Sequence, residues 1–384
     1  MAGLTSAPIL ANYFRGDDFF NLYRAVNDQP WWHFLLRMHG GHLLMTRNAV
    51  FILCYQAFGT DPRPYFALVL LTHLLNVGLV YRAACLLTAR WPIACLAAGL
   101  WGTAPANFGT LGWYSVYGQV LATSACLWVL SRLAACRAGG TARSGEPLAW
   151  ALALLLGSTC FGTGIGFALI MPAVAWLLLP PSPLRRRAAL ALGAVACAVP
   201  LLYLAAKSAA AALFALPADQ LSGSTASFSL PLLVALASHG VASGLLGGLV
   251  SYIAAWIAVT ALVLVVAAAL RDAWRPIVAM LLLSAAAYAP IAAGRGQFAL
   301  TYFGGQMDQL AGVERYHYAG PIGVVLAAAV AVSSLPLSRA WSARAVTSAL
   351  LVCAASITAL AIGLRPAVDH NDAARDETAQ ALAD

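Results

Sequence analysis

Charge is what this sequence has least of. Asp, Glu, Lys and Arg make up 9% of its 384 residues, where a soluble domain carries about 25%. No water-facing shell can be built from so few. Lysine is nearly absent: Lys207 stands alone, and every other basic side chain is an arginine. The net charge of +8 is not the footprint of a nucleic-acid binder, because the arginines are scattered through short loops instead of massed on a patch. No CxxC pair occurs either. The eight cysteines (Cys54, Cys85, Cys95, Cys126, Cys136, Cys160, Cys197 and Cys353) lie mostly in apolar runs. That pattern argues against a zinc site or a disulfide frame and reads as small buried hydrophobes. Residues 1–11 hold a short apolar stretch with no basic residues ahead of it, unlike a cleavable signal peptide.

What is abundant is apolar: 61% of the chain, in recurrent runs of about 20 residues, the length a helix needs to cross the hydrocarbon core. The fold class this predicts is all-α, a polytopic transmembrane helix bundle of about ten spans. The expected spans are Tyr65–Leu87, Pro92–Phe108, Ser115–Ala135, Leu148–Phe161 and Gly164–Leu179. They continue with Ala188–Lys207, Leu249–Leu270, Pro276–Gly294, Pro321–Leu337 and Ala345–Leu364. Pro231–Gly248 is apolar too, but it is interrupted by His239, Gly244, Gly247 and Gly248, and reads as a re-entrant or interfacial helix. With no repeat and no long linker, residues 1–384 form a single integral membrane domain. Residues 1–64 make an outer segment with juxtamembrane helices, 65–364 the bundle and 365–384 a polar tail.

Arginine sets the orientation. Arg82 and Arg90, then Arg132, Arg137 and Arg143, then Arg185, Arg186 and Arg187, then Arg271 and Arg275, then Arg339 and Arg344 fall in alternate short loops. The positive-inside bias makes that side cytoplasmic. Residues 1–64, the turn near Trp113, the segment 208–248, the loop 295–320 and the tail are then outside. Trp91, Trp113, Trp274 and Trp341 at span ends suggest an interfacial aromatic belt.

The polar residues gather on the outer side. Asp17-Asp18 precede a stretch that reads as two short surface helices, the second over Leu43–Phe58 and interrupted by Arg47, Asn48 and Gln56. Two adjacent carboxylates cannot both ionise cheaply at a membrane surface, so one suits proton transfer. A helix cap beginning at Phe19 would use the same residues. A second cluster runs from Arg295 through Asp308 to Glu314-Arg315-Tyr316-His317-Tyr318. Its arginines suit a phosphate, and a structural Glu314–Arg315 pair is the alternative. His39 and His42, separated by two glycines, lack a third ligand for a metal. His73 and Asn76, one turn apart in the first span, suit interhelical hydrogen bonding. The glycines of Phe161–Gly166 suit tight helix packing better than a phosphate loop.

In this order and placement the motifs resemble those of the C-type (GT-C) membrane glycosyltransferases. Asp17-Asp18 is similar to the family's acidic motif in the first outer loop. Gly59-Thr60-Asp61-Pro62-Arg63-Pro64-Tyr65 with His73-Leu74-Leu75-Asn76 looks like its second-span region. Leu100-Trp101-Gly102-Thr103-Ala104-Pro105 with Gly112-Trp113-Tyr114 does too, and Glu314–Tyr318 resembles its late outer motif. The likeness covers residues 1–135 and, less fully, 295–320. It implies transfer of a sugar from a polyprenyl-phosphate donor to a hydroxyl on a glycan, lipid or protein acceptor. The reaction would occur on the outer, periplasmic face of a bacterial inner membrane, in contact with membrane lipid and with no nucleic acid involved.

In that reading Asp17 or Asp18 is the catalytic base, with Asp17 favoured, and Arg295, Arg315 and Arg47 hold the donor phosphate. His39, His42, Tyr114, Glu314, Tyr316 and His317 are candidate substrate contacts. No cofactor is implied, and a divalent metal is optional on a donor with a single phosphate. Family members carry a full membrane helix ahead of the acidic pair. Here Met1–Ala11 precede it, too short to span about 30 Å at roughly 1.5 Å per residue. A transporter or lipid flippase, and an inactive GT-C-like protein, are the alternative expectations.

Overall fold

The computed structural model describes residues 2–28, 30–39, 42–214, 228–246 and 252–335. Its described elements are helical apart from one two-stranded hairpin. The first part of the chain forms α1 (Ala2–Ser6), a 3-10 turn over Ala7–Ala11, α2 (Asp17–Asn27) and α3 (Trp32–Leu36). Strand β1 (Met38–His39) pairs antiparallel with β2 (His42–Leu43), His39 opposite His42, and α4 (Met45–Phe58) follows. The bundle consists of α5 (Pro62–Thr88), α6 (Trp91–Gly102), the short α7 (Phe108–Leu111), α8 (Tyr117–Arg137), α9 (Glu146–Ser158) and α10 (Gly162–Leu178). It continues with α11 (Pro183–Phe214), α12 (Leu230–Leu246), α13 (Tyr252–Phe303), the short α14 (Met307–Ala311) and α15 (Gly320–Ser334).

Local chemistry explains where these helices start and stop. Gly59, at φ +60°, ends α4, and the Asp61 carboxylate then accepts the Arg63 N–H while Pro62 opens α5. Within α13 the backbone leaves helical geometry at Ala273 (φ −131°, ψ 22°). Pro276 lies three residues on and has no N–H for the carbonyl of residue 272, which accounts for the kink.

Among the described residues, four helices are long and apolar enough to cross a membrane: Pro62–Thr88, Tyr114–Arg137, Pro183–Ala209 and Ala273–Phe303. Their outward faces are oily. Leu71 and Leu75 on α5, and Leu190, Leu201 and Leu204 on α11, are all largely exposed, Leu190 at 75%. A surface of that kind suits lipid, not water.

Several expected spans prove shorter. Pro92–Phe108 becomes α6, whose 12 residues reach about 18 Å, because the Gly102-Thr103-Ala104-Pro105 run cannot prolong it. Leu148–Phe161 becomes α9, 13 residues long, where the hydroxyls of Ser158 and Thr159 turn back to the carbonyls of Leu155 and Leu156. Neither reaches the roughly 30 Å of a bilayer core. Pro276–Gly294 instead lengthens: the helix runs on through Arg295 to Phe303, so residues 295–303 are not loop. The stretch read as re-entrant or interfacial is α12, which packs along α13 and α15 as a member of the bundle. Gly240 and Gly244 let it close on Tyr288 and Pro321. The expected span Ala345–Leu364, the tail 365–384 and Trp341 lie outside the described residues.

The helices close into a ring: α5 packs on α6 and α8, α8 on α9 and α10, α10 on α11 and α13, α13 on α12 and α15, and α15 back on α5 and α6. Small residues permit the closest crossings. A Cβ on Gly166 of α10 would lie 1.8 Å from the Ala286 carbonyl of α13, as in tightly packed membrane helices. Tyr318 fastens the α15 side to α5 and α6. Its hydroxyl meets His73 Nδ1 at 3.0 Å and accepts from Asn76 Nδ2 at 3.1 Å, while its carbonyl accepts from Trp101 Nε1 at 2.8 Å.

The two ends of the bundle differ in chemistry. At one, Arg132 pairs with Glu146, Arg137 donates to the Leu178 carbonyl and Arg185 stacks on Trp176. The other carries the N-terminal segment and the acidic pair. The arginine end is expected to be cytoplasmic. With native cysteines replaced, a cysteine at exposed Ser144 should be shielded from an impermeant thiol reagent in intact cells, and one at exposed Asn27 should react. Labelling of Ser144→Cys in sealed cells would reverse the orientation.

Candidate functional site

Gly16, at φ +51°, turns the chain sharply into α2 and places both aspartates in its first turn. Consecutive helical residues point about 100° apart, and the two carboxylates have different surroundings. Asp18 is fully buried. Its Oδ1 accepts the Ser115 N–H at 2.6 Å and the Ser115 hydroxyl, and its Oδ2 accepts the Arg15 N–H at 3.1 Å. Burial pushes this carboxyl above its ordinary range, and the donors, with the Arg15 charge, pull it back. Asp17 is half-buried beside it.

One turn further, Asn21 ties the cluster together. Its Nδ2 donates to the Asp17 carbonyl at 2.8 Å and to Ser115 Oγ at 3.0 Å, and its Oδ1 accepts from Arg47 Nη2 at 3.5 Å. Arg47, on α4, is 2% exposed, and among the described residues that long contact is the hydrogen bond its guanidinium makes; Nε has no partner. Burial pushes it down to about 10, against the pull of Asp18 and Asp17, so it stays charged at neutral pH. Arg47 is therefore a buried cation with donors to spare.

The turn between α7 and α8 brings in the third segment. Asn12 donates to the Gly112 carbonyl, and Thr110 Oγ1 donates to the Arg315 carbonyl at 3.1 Å. Gly109 is indispensable to this approach: a Cβ there would fall 2.6 Å from Glu314 Cβ and 2.9 Å from Arg315 N. Two guanidinium groups consequently meet one indole, Arg15 Cζ at 5.5 Å and Arg315 Cζ at 5.2 Å from the Trp113 ring centre. Arg315 also lies 5.3 Å from the Tyr316 ring. Arg15, exposed at the surface, is pulled down by partial desolvation and by Arg315, while Asp18 and Glu314 oppose. Partial desolvation raises the exposed Glu314 carboxyl and Arg15 opposes. No Glu314–Arg315 ion pair forms among the described residues; Glu314 interacts with Arg15 instead.

Asp17, Asp18, Arg47, Glu314, Arg315 and Tyr316 thus come to one end of the bundle. Other candidates do not join them. Arg295 stands on α13 over Phe298, 5.0 Å from its ring, because the helix continues where a loop was expected. Tyr114 is wholly buried among Phe51, Tyr65 and Tyr117, its hydroxyl reaching Cys54 Sγ. His317 is also buried. Nε2 lies 2.6 Å from the Ala311 carbonyl, so it carries the proton, and Nδ1 accepts from the Tyr288 hydroxyl at 2.9 Å. Burial holds its pKa down to about 4, which makes it a neutral structural bracket. His42 stacks on Phe161 and packs against Gly162, while His39 faces it across the hairpin. No group of three metal-binding side chains forms among the described residues.

Sequence reasoning overlooked Asn21 and Ser115, and gave Arg15 and Trp113 no part in binding: Arg15 was expected only as a pairing partner for one of the carboxylates. Among the described residues the Arg15 backbone N–H, and no side-chain ion pair, meets the Asp18 carboxylate. Ser115 and Asn21 are short polar residues with no pattern of their own, and Trp113 was taken for part of the interfacial belt. Family models, curated proteins and solved structures offer no match to this chain.

Proposed function

We propose that this protein is a polytopic membrane glycosyltransferase of the GT-C type. It would be a bundle of about ten spans in a bacterial inner membrane, moving a sugar from a polyprenyl-phosphate donor to an acceptor hydroxyl on the periplasmic face. The observation that carries this reading is the meeting of Asp17-Asp18 with Arg47 and Arg315 at one end of an apolar bundle. These residues are contributed by segments far apart in sequence.

In the reaction, the acceptor oxygen attacks the anomeric carbon as the bond from that carbon to the phosphate oxygen breaks. Asp17 takes the acceptor proton. Asp18, saturated by Ser115 and the Arg15 N–H, positions the turn. Arg47 and Arg315 offset the charge that develops on the departing polyprenyl phosphate, a stabilisation that is strong where water is excluded. Arg295, assigned to the same task by sequence, has no contact that places it there.

A transporter or flippase would work through ionisable groups at membrane depth. Of the three buried histidines among the described residues, His73 and His317 have both ring nitrogens engaged by hydrogen bonds, which favours the enzyme reading, while His239 pairs through Nε2 with Asp308 at 2.6 Å and leaves Nδ1 without a partner. The deciding experiment reconstitutes the purified protein with radiolabelled polyprenyl-phosphate sugars and a membrane extract. Label is expected to move to an acceptor; if every donor keeps its label while the protein instead carries lipid or solute across the vesicle, the transporter reading replaces this one.

A further inference from the structure

We infer that Trp113 is a positioning residue for anion recognition, and that Arg15 is the second arm of the clamp it builds with Arg315. This rests on the donor-phosphate reading above and adds two residues to it. Arg15 and Arg315 are 300 positions apart, yet both guanidinium groups are drawn to the same indole. Each is close enough to the other for the Arg315 charge to push the Arg15 pKa down. Two like charges gathered on one ring repel, and Glu314, whose carboxyl desolvation raises and Arg15 lowers, is a partial counterweight. An anion between or beside the two groups relieves that repulsion. Guanidinium donors suit phosphate oxygens in particular.

The indole supplies more than a platform. Its Nε1–H is buried and has no acceptor, and a buried N–H left unpaired is costly. The Tyr316 hydroxyl, next to Arg315, is likewise buried without a partner. Two unused neutral donors beside two cations match the acceptor-rich head of a phosphate ester. They do not match a neutral sugar or an aliphatic chain alone. The turn that carries Trp113 is also fixed from three sides, by Asn12 on the Gly112 carbonyl, by Asp18 on Ser115 and by the close approach of Gly109 to Glu314. The indole is therefore held still while its two arginines reach it from other segments.

The test measures binding without sugar transfer, by calorimetric titration of farnesyl phosphate, and of neutral farnesol as control, into the purified full-length protein in detergent. Wild type should prefer the phosphate. Trp113→Leu and Arg15→Ala should each weaken farnesyl phosphate binding by about tenfold with farnesol unchanged. The double variant should lose little beyond either single change, since both act through one stack. Trp113→Phe keeps a ring but loses the N–H, so its loss should be intermediate. The milder change also guards against a leucine variant that fails to fold.

Equal binding of phosphate and alcohol by wild type, or unchanged phosphate affinity in folded Trp113→Phe and Arg15→Ala, would overturn the clamp. If the clamp binds as expected but labelled donors never yield product, the glycosyltransferase reading fails and the clamp stands. If product forms normally in Trp113→Leu with normal binding, the clamp fails and the enzyme stands.

Discussion

Asp17→Asn is expected to abolish sugar transfer while leaving the fold and donor binding nearly intact, and Asp18→Asn to do the reverse. The two residues share a first helical turn, but only Asp18 is fully buried with three donors on its carboxylate. An asparagine there presents an amide N–H₂ to the N–H groups of Ser115 or Arg15. At least one buried donor then loses its acceptor, at a cost of about 1–3 kcal/mol. The Asp18→Asn protein should melt earlier in detergent, and the surviving folded fraction should retain much of its turnover. Asp17 is half-buried, and asparagine keeps its shape but cannot accept a proton. Loss of a general base typically costs about 10²–10⁴-fold in rate. Parallel melting curves and turnover per folded molecule separate the two effects. If both amide variants transfer sugar at the wild-type rate, neither carboxylate is the base and the enzyme reading falls.

How far these roles could be read from sequence depends on what kind of signal each residue leaves. A polar side chain inside an apolar run is conspicuous, and His73 and Asn76 do hydrogen-bond across helices, to Tyr318, Gly102 and Val120. Glycines close together in such a run are equally plain: Gly164 and Gly166 sit where a Cβ would strike the backbone of Gly157 and Ala286. Hydropathy also gave the helical bundle itself, with four helices of membrane-crossing length among the described residues.

It did not give the helix ends. An apolar window cannot register that Thr103 and Pro105 stop α6 or that α13 passes through Gly294 and Gly296 without unwinding. The second error misplaced Arg295, since a glycine-flanked arginine reads as loop. Side-chain direction was illegible as well. His317 follows Arg315 by two residues, yet it points into the bundle toward Tyr288 while Arg315 meets Trp113. Contacts between residues 15, 113 and 315 are set by tertiary closure, and nothing local in the sequence announces them.

Replacing Arg47 should reveal whether the site is tuned for its ligand at the expense of stability. Its guanidinium is 2% exposed, makes one 3.5 Å hydrogen bond among the described residues and leaves Nε without a partner. Asp17 and Asp18 lie near enough to favour its charge, but burial outweighs them and its pKa falls to about 10. A buried cation so poorly compensated is a liability to the free protein. Holding an ion out of water without a close partner of opposite charge costs on the order of several kcal/mol. Arg47→Met, of similar length and without charge, should therefore leave the melting temperature unchanged or raise it. On the proposed reading the same change removes donors for the leaving phosphate, and loss of one such preorganised group typically costs about 10²–10³-fold in turnover. Arg47→Lys keeps the charge as a compact ammonium without the fork, and should fall between wild type and Arg47→Met in rate. The opposed signs are what make the test informative, because a structural arginine would lower stability and turnover together. If Arg47→Met melts well below wild type and its folded fraction turns over normally, Arg47 holds the fold, and the donor phosphate must be gripped by Arg315 and its neighbours alone.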